Sequence, residues 1–172
     1  MRSLDEDDFQ ARLVFAEYGF AAFSAQKLEN RLLLALQVAN VRASEFQTLE
    51  DAREHIEKNS VISMGALIVK LRPIIGDEDL SAQLRDALVE RNRFVHQFFR
   101  NHEEDELTAA GTDSMIRECR DLAELFQSTA EKVMEQIVRS LDEIGEDPDR
   151  FLPGLAERAA RLRAEYPEGP EV

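Results

Sequence analysis

The sequence is short of the residues that break or staple a chain. Its 172 residues include five prolines, seven glycines and one cysteine. The prolines and glycines cluster at a few points, which leaves room for long uninterrupted helices. With Cys119 alone, no intrachain disulfide can form, and a reducing compartment is the default expectation. A chain of this length buries enough surface to fold as one domain without disulfides or metal. No apolar run approaches the roughly 18 residues of a membrane helix. The nearest, RLLLALQVANV, is interrupted by Arg31, Gln37 and Asn40. The opening MRSLDEDDF is acidic and lacks the apolar core of a signal peptide. The expectation is a soluble, cytoplasmic protein with no membrane partner.

Chemical motifs are equally sparse. There is no GxxxxGK[ST] for a phosphate loop, no HExxH and no CxxC. Asp51 with His55, and His96 with His102 and Glu103, are the nearest metal-like groupings, and neither has the spacing of a full ligand set. The Glu-x-x-His pairs of a di-iron bundle are missing. No metal and no cofactor are therefore expected. Cationic residues are scarce as well: 21 Lys and Arg against 35 Asp and Glu give a net charge of −14. That argues against indiscriminate gripping of nucleic acid, which needs clustered Lys and Arg.

What the sequence does have is helical period. Phe9, Leu13, Ala16, Phe20 and Phe23 recur every three or four residues, followed by Leu28, Leu32, Ala35 and Ala39. The more polar stretch 43–58 suggests a short helix. Ser60 can cap a further helix carrying Val61, Met64, Leu67, Ile68 and Leu71, ended by Pro73 and Gly76. Asp77 to Asp79 open another, with the stripe Leu80, Leu84, Leu88, position 91 or 92, Val95 and Phe98 or Phe99. A last long helix is expected from near Asp113, with Met115, Cys119, Leu122, Phe126, Val133, Ile137, Leu141 and Ile144 on one side and Gly145 as its stop. Cys119 thus reads as a small core residue rather than a nucleophile. No alternating strand pattern appears. The expected fold is all-α: an antiparallel bundle of four to five main helices over residues 1–147, with a short appended C-terminal helix and polar tail over 148–172. Arg158, Arg161 and Arg163 lie in that tail region.

One stretch departs from the pattern. In ERNRFVHQFF, residues 90–99, Arg91 and Asn92 fall where the apolar seam should continue. A buried unpaired charge costs several kcal/mol, so Arg91 needs a carboxylate partner or a wet cleft. Asn92 and His96 are four apart and share a helix face. Arg91 and His96 are five apart, roughly 140° around the helix. Arg85, Arg91, Arg93 and Arg100 stand against only Asp86 and Glu90, a local charge of +2 within an acidic chain. Arginine, amide and imidazole together are the elements of phosphodiester chemistry.

Arg91-Asn92-x3-His96 resembles the R-x4-6-H signature of HEPN domains, all-α bundles frequent in bacterial toxin–antitoxin, abortive-infection and RNA-processing systems. The similarity in helical order extends over roughly residues 8 to 145. It implies a metal-independent endoribonuclease, commonly a homodimer whose two motifs face one cleft, with RNA as substrate and an antitoxin or other regulatory protein as partner. His96 would then be the acid or base at the ribose 2′-hydroxyl, since an ordinary imidazole titrates at about 6.5. Arg91 would stabilise the charge on phosphorus-bound oxygens, and Asn92 would orient His96 or bind phosphate. Arg85, Arg93 and Arg100 would hold substrate. The chain departs from a toxin branch reading R-x4-H-x-Y at Phe98, which offers no hydroxyl for nucleotide addition. The rival expectation is a non-catalytic HEPN-like module that binds a protein or a nucleotide, suggested by the acidic composition and the appended helix.

Overall fold

Side-chain caps set three of the helix starts. Asp77 Oδ1 accepts hydrogen bonds from Asp79 N at 2.9 Å and Leu80 N at 3.0 Å. Thr108 Oγ1 accepts from Gly111 N at 3.0 Å, and Ser63 Oγ from Ala66 N at 3.3 Å. Each satisfies backbone N–H groups that have no partner inside the helix. The computed structural model describes residues 4–43, 48, 51, 54, 62–72, 75–145 and 147. They form α1 (Leu4–Arg42), α2 (Met64–Leu71), α3 (Glu78–Asn101), a 3-10 turn (Asp105–Leu107) and α4 (Ala109–Glu143), with no strand among them. The fold is an all-α bundle. The expected appended helix lies outside the described residues, as does most of 43–58.

Two boundaries differ from the sequence reading. The second helix is capped by Ser63 rather than Ser60. The last begins at Ala109, not near Asp113, because Gly111 sits inside its first turn instead of breaking it. Glycine is required there for space: a Cβ at position 111 would collide with the Asp105 backbone. At the other end Gly145 does act as the stop, at φ 73° just beyond the cap Ile144.

Contacts in register give the topology. Glu17 meets Arg120, Ser24 meets Gln127 and Arg42 meets Glu143, in the same order along both helices, so α1 and α4 run parallel. Between α3 and α4 the order reverses: Gln83 meets Ser128 while Arg93 meets Glu118. It also reverses between α1 and α3, where Tyr18 stacks on Phe94 and Phe99 while Glu29 meets Arg91. The arrangement is up, down, up. Small buried residues, Ala21, Ser24 and Ala25 on α1 with Cys119, Ala123, Thr129 and Ala130 on α4, allow the two long helices to approach closely. Larger ones fill the seam further along: Leu28, Leu32 and Leu36 with Phe126, Val133 and Ile137.

The aromatic rings then hold α3 in the groove. Phe94 and Phe98 are 0% and 1% exposed, and Tyr18 lies over them at centroid distances of 4.4 and 5.4 Å. The inward stripe of α3 is Leu80, Leu84, Ala87, Phe94 and Phe98. Val95, expected on that stripe, is instead 43% exposed, since Phe94 takes the seam and turns its neighbour outward. A larger correction concerns α1. The Phe9, Phe20 and Phe23 positions face solvent at 63%, 50% and 61% exposure, while Val14, Ala21, Ala25 and Leu28 face the core.

Gly111→Ala, which helix propensity alone would favour, is expected to destabilise the chain by about 1–3 kcal/mol because the 3-10 turn must move aside. Chemical denaturation monitored by circular dichroism measures it.

Candidate functional site

The rotation of α3 decides where the polar residues of 90–100 point. With Phe94 and Phe98 buried, position 91 falls on the seam and positions 92 and 96 fall outside it. Arg91 is accordingly half-buried and aimed at α1. Its Nη2 lies 2.8 Å from Glu29 Oε1, and its Nη1 donates to Asn92 Oδ1 at 3.2 Å. The carboxylate partner that a seam arginine needs is therefore Glu29, not the adjacent Glu90. Glu29 Oε1 accepts no aligned hydrogen bond, so the pair is held by charge more than by directed bonding.

Asn92 and His96 are exposed on the outer face, as are Arg85 and Arg100. The side chains of Arg85, His96 and Arg100 make no hydrogen bond or ion pair with the described residues. Arg85, Asn92, His96 and Arg100 form one solvent-facing strip, with Val89 beside them at 64% exposure. Arg91 and His96 point in different directions within one copy. Arg93 is separated from the strip altogether. Its Nε donates to Glu90 at 2.8 Å and its Nη1 to Glu118 at 2.7 Å. Burial pulls its guanidinium pKa down, but these bonds and charges outweigh that and leave it raised. Of the three arginines expected to hold substrate, Arg85 and Arg100 are available and Arg93 is engaged.

The sequence reading missed a second polar cluster. His102, the C-cap of α3, is 8% exposed. Its Nδ1 lies 2.6 Å from Asp105 Oδ2 and its Nε2 lies 2.8 Å from Glu118 Oε2. Both contacts are donor–acceptor pairs when the ring carries two N–H groups. Through Glu118 the cluster joins Arg93 and Glu90, tying the 3-10 turn to α3 and α4. Asp105, three residues after His102, was a local signal; Glu118 on the next helix gave none. Among the described residues, no group of three or more His, Cys, Asp or Glu is placed to hold a metal. A cavity of about 310 Å³ between α1 and the start of α4 is lined by Val14, Phe15, Phe99, Leu107 and Met115, among others, and by none of the α3 strip.

Comparison of the chain with protein-family models, curated proteins and solved structures finds no match. No described helix is long and apolar enough to cross a membrane.

Cys119 is fully buried, and burial, followed by the nearby charges of Glu118 and Glu17, pushes its thiol up to about 12. It stays a neutral thiol near pH 8. A colourimetric thiol reagent should leave it unmodified in the native protein and react with one equivalent after unfolding.

Proposed function

We propose that the chain is a metal-independent endoribonuclease of HEPN type that binds RNA along the outer strip of α3. The supporting observation is the strip itself: Arg85, Asn92, His96 and Arg100 are exposed, and the two arginines and the histidine have no partner among the described residues. Other exposed cations of the chain, Arg117 and Arg139 among them, also lack a carboxylate; the strip differs in setting two arginines on one helix face with an amide and an imidazole. Arg85 and Arg100 hold phosphates on either side of the reacting one. His96 takes the proton of a ribose 2′-hydroxyl, whose oxygen then bonds to phosphorus. The bond from phosphorus to the 5′ oxygen breaks, and that oxygen takes up a proton. The products are a cyclic phosphate and a free 5′-hydroxyl, and DNA is spared.

Glu29 acts as a brake in this reading. Arg91 can reach a phosphate only after leaving that carboxylate, whose Oε1 is buried and would be left unpaired. A toxin or defence role, with a regulatory protein partner, follows from the same resemblance. Nucleotide addition two residues after His96 has no acceptor, since Phe98 lacks a hydroxyl and is 1% exposed. The Arg91–Glu29 pair favours a second reading, in which the strip binds RNA or nucleotide without cleaving it.

The full chain should cleave single-stranded RNA in EDTA, and folded His96→Ala should lose about a hundredfold or more of that rate. Glu29→Gln should raise the rate about fivefold or more, because the neutral amide no longer holds Arg91 and leaves no buried charge behind when the arginine departs. Cleavage that persists in His96→Ala would overturn the mechanism. Salt-sensitive RNA binding without cleavage, weakened in Arg85→Ala and Arg100→Ala, would establish the second reading.

A further inference from the structure

The outward face of α1 carries an apolar seam that nothing among the described residues covers. Phe9, Phe20 and Phe23 are 63%, 50% and 61% exposed. Ala16 is exposed too, and Leu13 is only partly buried. Positions 9, 13, 16, 20 and 23 step by four, three, four and three, which is the heptad spacing of a helix that pairs with another helix. The inward face of α1, with Val14, Ala21, Ala25 and Leu28, is already packed. So α1 has two apolar faces and uses one.

We propose that the second face binds a second copy of this chain, α1 against α1 in antiparallel orientation. Three features of the seam favour a copy of itself. The first is shape: Ala16 and Gly19 make a notch in its middle, and nothing lies within 4 Å of the place a Cβ would take at Gly19. With a two-fold axis near residue 18, each Phe20 ring sits over Ala16 of the second copy and each Phe23 over Leu13, so large residues meet smaller ones. The second is charge. The acidic tract Asp5–Asp8 opens the helix, while Lys27 and Arg31 follow the seam. Antiparallel pairing sets the acidic end of each helix beside the basic turn of the other, whereas parallel pairing sets Lys27 beside Lys27 and acid beside acid. The third is area. Taking about 200 Å² for a Phe, the three rings expose about 350 Å² per copy, or about 700 Å² in a pair. Flanking side chains and the stems of Lys27 and Arg31 bring that toward the roughly 1,200 Å² lower bound of a stable interface.

This contact is independent of the α3 strip. Phe20 and Glu29 are nine residues apart, two and a half helical turns, so the seam faces away from the side of α1 that meets α3. A dimer built this way leaves each copy's His96 on its own outer surface rather than in a shared cleft.

Light scattering after size exclusion tests the pairing on the full chain, with a mass of twice 19.6 kDa expected at micromolar concentration. Phe20→Glu should weaken association about thirtyfold or more, a hot-spot effect, with helical circular dichroism unchanged and an unfolding midpoint that no longer rises with protein concentration as the wild type's does. Orientation is read by disulfide trapping, with buried Cys119 silent. A mixture of Phe9→Cys and Lys27→Cys chains should cross-link heterotypically, while Lys27→Cys alone should not. A monomeric wild type overturns the proposal. So does a dimer that Phe20→Glu leaves intact, or one that appears only when residues 148–172 are deleted, which would assign the seam to the chain's own C-terminal segment. Homotypic Lys27→Cys cross-links overturn the antiparallel arrangement.

Discussion

The stacking of Tyr18 on Phe94 and Phe98 sets the geometry of everything on α3. Emptying a buried phenylalanine site typically costs about 3–5 kcal/mol, whereas the partly buried Arg91–Glu29 pair offsets much of its attraction against desolvation. The rings therefore fix the rotation of the helix, and the charged residues take the directions that remain. Arg91 is on the seam because it is three residues before a buried phenylalanine, not because its partner pulls it there. His96 is outside because it is two residues past that same ring.

The rings can reach α1 because of how α1 and α4 pack. Alanine, serine, cysteine and threonine along their upper contact let two helices of 39 and 35 residues lie side by side in parallel. Parallel neighbours leave one long groove, and only a helix running the other way can return the chain through it. The 3-10 turn and the His102 cluster close the tight end of that return. There the missing side chain of Gly111 and the buried imidazole serve the same need, to pack a turn hard against the first residues of α4.

Much of this was legible in the residues themselves. The Asp77 cap, the helical period of α4 and the Gly145 stop each follow from local chemistry. The start of α4 was not legible, because Gly111 as a breaker and Gly111 as a contact look alike until the opposing Asp105 backbone is known. In α1 two sets at helical spacing overlap, and period alone cannot say which is inside. Large rings make the stronger signal, but the close parallel approach to α4 selects the small ones. The need for a partner to Arg91 was readable from its place on the seam. Glu29 itself was not, since it lies on another helix far back in the chain. The same holds for Glu118 beside His102.

The parallel pairing of α1 with α4 has a consequence for synthesis. The contact of Glu17 with Arg120 closes a loop of about a hundred residues, while α3, its turn and α4 meet through contacts close in sequence. Local contacts form fastest, and loop closure on this scale adds an entropic delay. A ribosome makes α1 before α4, at about 5–20 residues per second. For several seconds α1 is complete with neither of its apolar faces covered. The acidic tract at its start gives that helix a charged end throughout the interval.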